Sequence, residues 1–565
     1  MKLNISAIIR NRRHLIFAAL LPIIGWSSCR KADQVARKEQ SALSDIYLTI
    51  DGRGGERLFD PVYSAHQDTI YFNVPWFYPV SSDNEVDLRR MIVRSTIPTD
   101  AIMKPMLGNV MDLSKPLSLT ITAGNGQVSQ YVVMARKVGD LTVSSAKITF
   151  LADGVEQEVE GIIQDNKILF YVLPGLDVSN AKFTYGINKH STGSIPDSSN
   201  INLTQEVPFI VKGVDGASKA YALQVLAPQK LAYGAGINRK LWTKNAADLN
   251  FSANNETSLT TSGDYLVLVR RTNPSRYSVI NRFTGAYLRD MYNPLPGLSF
   301  QIASDSLGRI LAASWAPKNS AFILYRYNNV DDVNPVKLVD WTNNNPGGVT
   351  ADGGVGRRVN IYGDLNKDAV IMATAGQSTV IYKWRVVNGA ILSNTPEIVR
   401  YNSIAGGAAT FWGFYAEAQP ISAAPNPDYF INYQYEVALV NGATNTRSAA
   451  LTLGAPVVFT LPTAYGTFNN AKYLAIVKYL NTMDLNQVQM ALFDITNPSK
   501  IPMGPSDPSY ASFNIFTSDL FTGTTNGNGT ADICIGYSEN NEKMQVYMLL
   551  TNGGIMAREF TTYAP

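Results

Sequence analysis

Residues 265–285 read YLVLVRRTNPSRYSVINRFTG and contain the pattern from which the fold class can be inferred. Its two apolar cores, YLVLV (265–269) and YSVI (277–280), are short and are bounded by turn-forming residues. Such runs predict β-strands. After the second core, the Asn281 side chain can cap backbone N–H groups and Gly285 can take left-handed angles. The stretch therefore predicts two strands and then a hairpin turn into a third.

The same pairing recurs along residues 230–565, and little helical periodicity interrupts it. The first members are YLVLV (265–269), ILAA (310–313), VIMA (370–373), YFINY (429–433), YLAIV (473–477) and ICI (533–535). The second members are YSVI (277–280), FILY (322–325), VIYK (380–383), EVALV (436–440), MALF (490–493) and VYML (546–549). Repeats of about 40–50 residues with four strands each are typical of β-propellers. We predict a propeller of six blades over residues 230–565, or of seven if residues 230–260 supply a partial blade; a doubled sandwich is the alternative.

An earlier part of the chain repeats itself at an offset of 90 residues. LSKPLSLTITAGNGQVSQYVV (113–133) aligns with LTQEVPFIVKGVDGASKAYAL (203–223). The pairs Asn125-Gly126 and Asp215-Gly216 fall at the same place, where glycine accepts a positive φ in a hairpin turn. Alternating apolar residues on both sides of the turn predict a two-stranded ribbon with one buried face.

A second pair of segments extends this repeat. IYFNVP (70–75) resembles ILFYVLP (168–174). Units of about 90 residues built from short strands are typical of immunoglobulin-like sandwiches. We therefore predict an all-β chain with two tandem immunoglobulin-like sandwiches, over residues 45–138 and 139–229, followed by the propeller.

The N-terminus has the form of an export signal. A basic start is followed by an apolar run from Leu15 to Trp26, which is shorter than the roughly 20 residues that span a bilayer. Cys29 follows two serines and resembles the lipidated cysteine of a bacterial lipobox. We predict a signal peptide over residues 1–28 and a lipidated tether over 29–44 that anchors the protein to the outer membrane, on its periplasmic or its outer face. An ordinary signal peptide with an incidental cysteine is the alternative.

Composition excludes several kinds of chemistry. The formal net charge is +3, and this spread-out balance of charges does not favour nucleic acid as a partner. The three histidines are His14, His66 and His190, so the last two-thirds of the chain cannot hold a Ser-His-Asp triad. Two cysteines about 500 residues apart form neither a disulfide framework nor a zinc cage, and we expect Cys534, on a strand, to be a buried small residue.

Aromatic residues in the predicted propeller are the candidate ligand contacts. Flat aromatic faces stack on sugar rings. The candidates are Trp315, Trp384, Trp412, Phe414 and Tyr415. The alternative for each of them is packing between blades.

One loop has the spacing of a calcium site. Asp364, Asn366 and Asp368 place oxygen ligands at alternate positions. However, Ala369 stands where the sharp-turn glycine belongs, and a hydrogen-bonded hairpin is the alternative. We expect no other cofactor.

The lipobox, the two short sandwiches and the propeller-like region together resemble a family of uncharacterised Bacteroidetes lipoproteins with a domain of unknown function. That resemblance implies a cell-envelope location and brings no catalytic residues. We therefore predict a non-catalytic lipoprotein that presents a propeller face to a glycan or a protein. The alternatives are a glycoside hydrolase or lyase, which needs only two carboxylates, and a structural subunit of an outer-membrane complex.

Overall fold

The computed structural model describes residues 37–349, 354–376, 378–401, 416–433, 436–527, 529–538 and 541–564. These residues form strands joined by turns, and their helical segments are two single 3-10 turns, Pro498–Lys500 and Tyr510–Ser512. The predicted all-β class is confirmed. Within the described ranges, no helix has the length and apolar character needed to cross a membrane.

The chain divides into two compact units. The first contains residues 37–141 with 188–191 and 212–217, and the second contains 142–187, 192–211 and 218–564. The strands of the first unit are β1 (Asp45–Ile50), β2 (Pro61–Tyr63), β3 (Thr69–Pro75), β4 (Met91–Thr96), β5 (Ile102–Lys104), β6 (Val110–Met111), β7 (Leu117–Thr122) and β8 (Val128–Val138).

Two sheets of the first unit, with strand orders β1-β4-β6 and β2-β3-β8-β7-β5, share one apolar core. Strand β3 pairs in parallel with β8, and the other pairs are antiparallel. Gly126 takes a φ of 93° in the β7–β8 turn, where its N–H donates to the Ala123 carbonyl at 2.9 Å. The turn predicted from Asn125-Gly126 is therefore confirmed.

The second unit begins with nine strands that, like those of the first unit, form two sheets. They are β9 (Val143–Ala152), β10 (Val155–Glu160), β11 (Ile162–Gln164), β12 (Lys167–Tyr171), β13 (Ala181–Ile187), β14 (Thr192–Gly193), β15 (Ser199–Ile201), β16 (Val207–Lys212) and β17 (Ser218–Leu226). Their sheets run β10-β9-β13-β15 and β11-β12-β17-β16-β14. Strand β12 pairs in parallel with β17, as β3 does with β8, so the repeat at 70–75 and 168–174 occupies equivalent strands.

The remaining strands of the second unit cover residues 229–564. They are β18 (Gln229–Lys230), β19 (Asn238–Asn245), β20 (Glu256–Ser262), β21 (Tyr265–Arg270), β22 (Arg276–Asn281), β23 (Tyr287–Met291), β24 (Gln301–Ser304), β25 (Ile310–Ala313), β26 (Ala321–Tyr327), β27 (Val336–Thr342), β28 (Val355–Gly363), β29 (Ala369–Ala375), β30 (Val380–Val387), β31 (Ala390–Ile391), β32 (Glu397–Arg400), β33 (Glu417–Pro420), β34 (Tyr429–Asn432), β35 (Val437–Asn441), β36 (Thr446–Ala450), β37 (Phe459–Phe468), β38 (Ala471–Tyr479), β39 (Gln487–Asp494), β40 (Asn514–Thr517), β41 (Phe521–Thr522), β42 (Ala531–Ser538), β43 (Lys543–Leu550), β44 (Gly554–Thr561) and β45 (Tyr563–Ala564).

Apart from the short β18–β45 pair, these strands form six antiparallel sheets among the described residues. Five follow the chain: β20 to β23, β24 to β27, β28 to β31 with β32, β33 to β36, and β37 to β40 with β41. The sixth has the order β19-β44-β43-β42, so it joins a strand from the start of this region to three from its end. The two ends of the region are thus held together by backbone hydrogen bonds within one sheet.

One end strand of each sheet contacts the end strands of two other sheets. The contacting pairs are β20 with β24, β24 with β28, β28 with β33, β33 with β37, β37 with β42, and β42 with β20. We call these six strands the ring strands. Apolar clusters fill the spaces between neighbouring sheets, for example around Phe322 and Trp384, so the sheets pack face to face.

Candidate functional site

A cavity of about 350 Å³ lies among the ring strands, and we call it the central cavity. Its volume lies near the lower end of the range of about 300–1,000 Å³ that is usual for small-molecule sites. All six ring strands contribute to its wall. The wall residues are 259–261, 263, 301–308, 360–363, 419, 463–467 and 532–537, together with Arg282 and Asn541.

Short polar side chains link the ring strands around the central cavity. The Thr260 hydroxyl lies 2.8 Å from the Ser304 hydroxyl, and the Thr261 hydroxyl donates to the Ile535 carbonyl at 3.1 Å. The Gln419 amide donates to the Ile361 carbonyl at 3.3 Å. A strand at the end of a sheet has backbone groups without a neighbouring strand, and buried backbone groups need partners. Hydroxyls and amides supply those partners here and leave a polar wall.

Three tyrosines line the same cavity. The rings of Tyr362 and Tyr465 are 5.7 Å apart between centroids, and burial raises the pKa of Tyr465 to about 12. The Tyr537 hydroxyl accepts a hydrogen bond from the Thr467 N–H at 3.1 Å. A Cβ at position 466 would lie 2.3 Å from that hydroxyl, so a larger residue than Gly466 would displace the Tyr537 side chain. These side chains add aromatic faces to a wall of amides and hydroxyls.

A buried ion pair connects two ring strands beside the cavity. Nη1 of Arg358 on β28 lies 2.9 Å from Oδ1 of Asp532 on β42 and donates to the Gln301 side-chain oxygen at 3.0 Å. The other carboxylate oxygen of Asp532 accepts from the Leu259 N–H at 2.8 Å. The arginine is thereby held to ring strands β24 and β42.

Glu417 is a second buried acid of this region. It lies on β33, is 1% exposed, and accepts hydrogen bonds from the N–H and the hydroxyl of Thr463. Burial raises the pKa of Glu417 to about 7, although the positive charge of Arg358 works against that rise. Glu417 is therefore a carboxyl group that titrates near neutral pH.

Trp384, predicted to contact a ligand, is only 2% exposed. Its ring stacks on Phe322 at 5.2 Å between centroids, and its Nε1 donates to the Asn394 carbonyl at 3.1 Å. Strand β30, which carries Trp384, lies inside a sheet that is packed on its neighbour, and a ligand contact at Trp384 stays a prediction. The alternative of packing between sheets describes this residue.

The other predicted ligand contacts fall elsewhere. Trp315 is half-buried, packs edge-on against Phe300 at 5.9 Å, and does not line the central cavity. Trp412, Phe414 and Tyr415 lie outside the described residues, as does Cys29. Their roles stay predictions.

The candidate calcium loop forms a hairpin turn between β28 and β29. The Lys367 N–H donates to the Asp364 carbonyl, and the Asp364 carboxylate accepts from the Asn366 N–H at 2.8 Å. That carboxylate also pairs with Arg309 at 2.5 Å. The Asp368 carboxylate accepts from the Asn388 N–H at 3.1 Å. Each acid thus has hydrogen-bond or ion-pair partners within the protein, as expected for the alternative of a hydrogen-bonded hairpin. Calcium binding at Asp364, Asn366 and Asp368 stays a prediction.

Five of the six ring strands were not predicted from the sequence, because they lie outside the paired apolar segments. Strand β20 reads ETSLTTS and is buried throughout, yet five of its seven residues are Thr or Ser, which usually indicate an exposed or turn segment. The sixth ring strand holds ICI, in which Cys534 is 9% exposed and burial raises the pKa of its thiol. The one available signal is position, since each of these five segments precedes the first apolar strand of a predicted pair.

The protein is therefore an all-β protein in which the end strands of six antiparallel sheets enclose a polar cavity. The chain belongs to the DUF8500 family, a domain of unknown function whose model matches residues 240–557. A second domain of unknown function, DUF5018, matches residues 24–135. The resemblance to Bacteroidetes lipoproteins implied a single domain of unknown function over most of the mature chain, whereas two separate domains of unknown function match it.

Two solved structures are similar to this chain. One is a DUF4623 family protein from Bacteroides eggerthii, with 15% identity, a TM-score of 0.46 and coverage of 75% of this chain and 98% of that one. The other is hydrazine synthase from Kuenenia stuttgartiensis, with 9% identity, a TM-score of 0.30 and coverage of 69% and 94%. No curated protein matches the chain.

Proposed function

We propose that the protein is a non-catalytic, lipid-anchored envelope protein whose last domain is a six-bladed β-propeller that binds a saccharide in the central cavity. Six consecutive sheets, the contacts around the ring strands, and the closure of the sixth sheet by β19 support the propeller. The lipobox at Cys29 supports the anchor. The two repeated β domains would act as immunoglobulin-like spacers between the anchor and the propeller.

The observation that carries the binding proposal is the chemistry of the cavity wall. Amide side chains (Asn360, Gln419), hydroxyls (Thr260, Ser304) and the three tyrosine rings converge on one small space. Hydroxyls and amides can exchange hydrogen bonds with sugar hydroxyls, and aromatic faces cover the apolar faces of sugar rings. The cavity also has the size expected for a small ligand.

Binding of saccharides to the full chain tests this proposal. Neutral and acidic oligosaccharides are screened on an array, and the hits are titrated by calorimetry. We expect the double variant Asn360→Ala/Gln419→Ala to weaken binding by about tenfold, or about 1.4 kcal/mol. Asn200→Ala, at an exposed position of β15, is the matched control and keeps full affinity. The absence of any saccharide among the hits would overturn the proposal.

A carboxylate-dependent glycosidase is the second candidate, and the raised pKa of Glu417 favours it. Such enzymes use one protonated and one ionised carboxyl group. Glu417 is about half protonated at pH 7, and Asp532 lies close enough to affect its pKa. Release of new reducing ends from a bound saccharide, lost in Glu417→Gln, would support the enzyme. A bound saccharide that stays intact over hours would support the binding protein.

A further inference from the structure

The charged residues in the wall of the central cavity differ in their pairing. Three of its residues carry a formal charge: Arg282, Asp305 and Asp532. Asp532 pairs with Arg358 at 2.9 Å, and Asp305 pairs at 3.3 Å with Arg309, which it shares with Asp364. Arg282 forms no ion pair with any described residue. Arg282 is therefore the one charged residue of the wall that has no ion-pair partner in the described part of the chain.

Arg282 is a buried cation, since it is 3% exposed. One of its Nη atoms donates to the Tyr537 carbonyl, and its guanidinium lies 4.9 Å from the centroid of the Phe283 ring. Its Nε is buried and makes no hydrogen bond within the described part of the chain. A guanidinium has five N–H donors, so the described residues use only a small part of the hydrogen-bonding capacity of Arg282.

The local backbone holds this guanidinium in place. A Cβ at position 536 would lie 2.2 Å from Nη1 of Arg282, so Gly536 leaves the space that the group occupies. The Arg282 N–H donates to the Asp264 carbonyl at 3.2 Å, and its carbonyl accepts from Trp242 Nε1 at 2.8 Å. The position of the arginine is therefore built from several strands and not from one flexible turn.

An unpaired buried charge is costly, and buried charges in proteins are usually paired. An anion that enters the cavity would remove this cost and would gain charge-assisted hydrogen bonds, which are about twice as strong as neutral ones. We infer that Arg282 binds the anionic group of the ligand, so that the saccharide of the central cavity is an acidic one, with a carboxylate or a sulfate. This inference rests on the proposed saccharide binding.

Calorimetric titration of the full chain with matched sugars tests the inference. The probes are glucuronate and galacturonate, glucose 6-sulfate, and the neutral sugars glucose and galactose. We expect at least one acidic sugar to bind about tenfold or more tightly than its neutral counterpart, and Arg282→Gln to abolish that preference. Arg282→Lys keeps the charge and retains part of the preference. Arg289→Gln removes an exposed arginine of β23 and is the control that binds as the wild type does.

The outcomes distinguish failure of the inference about Arg282 from failure of the proposed saccharide binding. Equal affinity for acidic and neutral sugars would overturn the role of Arg282 and leave saccharide binding intact. A preference for the sulfated over the carboxylated sugars would identify the anion without changing the inference. Binding of none of the five sugars, together with a negative array, would overturn saccharide binding itself. Because the preference is measured first on the wild type, the test does not depend on the stability of Arg282→Gln, which circular dichroism checks.

Discussion

Arg358 on β28 and Asp532 on β42 form an ion pair of 2.9 Å between strands that are opposite one another in the order of the ring. The two residues are 174 positions apart in the sequence and are 1% and 4% exposed at their side chains. Two ring strands, β33 and β37, separate them in one direction around the ring, and two, β24 and β20, in the other. The pair therefore ties the two halves of the sheet arrangement to each other at its centre.

Removal of one member of this pair will strongly destabilise the protein. Arg358→Met leaves the Asp532 carboxylate buried without its partner, which costs about 3–5 kcal/mol. Thermal unfolding followed by calorimetry measures the loss. Arg289→Gln breaks an exposed pair with Asp331 and should change stability by at most about 1 kcal/mol. An equal effect of the two variants would contradict a central role for the Arg358–Asp532 pair.

Stability will fall as the pH rises from about 4.5 to about 7. The pKa of Glu417 is raised from 4.5 to about 7 in the folded protein, so the folded state binds more protons than the unfolded state between these values. Its stabilising effect is complete below pH 4.5 and is lost as the pH passes about 7, a change on the order of 3 kcal/mol. Midpoints of thermal unfolding across this window measure it.

Glu417→Gln isolates this effect, because the amide keeps an oxygen that can accept from Thr463 but does not titrate. The pH dependence of the variant should be flatter than that of the wild type between pH 4.5 and 7. Asp331→Asn, on the exposed surface, is the control and should follow the wild type. Parallel curves for wild type and Glu417→Gln would show that another group is responsible.

Loss of the Tyr465 ring will weaken saccharide binding. Tyr465→Ala should raise the dissociation constant about two- to tenfold, because an aromatic contact contributes about 0.5–1.5 kcal/mol. Tyr465→Phe keeps the ring and most of the affinity. Tyr287→Ala, on the exposed outer strand β23, is the control and should bind normally. Unchanged affinity in Tyr465→Ala would place the ligand away from this part of the cavity.

Lipidation will depend on one of the two cysteines. Cys29→Ala should move the protein from the detergent phase to the aqueous phase in a phase-partition assay and should abolish labelling with a radioactive fatty acid. Cys534→Ala is the matched control, since that thiol is buried in β42. Labelling that persists in Cys29→Ala would rule out the lipobox.

The local features of this protein could be predicted because they depend on residues that are neighbours in the sequence. The turn at Asn125-Gly126 needs a glycine at a φ of 93°, and the Asn281 side chain accepts from the N–H groups of Phe283 and Thr284 within its own turn. Paired apolar cores such as YLVLV and YSVI are the second and third strands of a sheet. Short-range patterning thus determined the all-β class and the repeats.

The site could not be predicted, because its residues become neighbours only when distant strands meet. Strand β20 shows no apolar alternation, since the hydroxyls of Ser258 and Thr260 bond to the adjacent ring strand β24. Arg282 in a hairpin turn is an ordinary surface residue by sequence, and only the approach of Gly536 and Tyr537 turns it into a buried cation. Strands, turns and repeats follow from local backbone preferences, which can be inferred from short segments of the chain. The burial of polar groups, and the lack of an ion-pair partner for Arg282 among the described residues, follow from the tertiary structure, because burial depends on contacts across hundreds of residues.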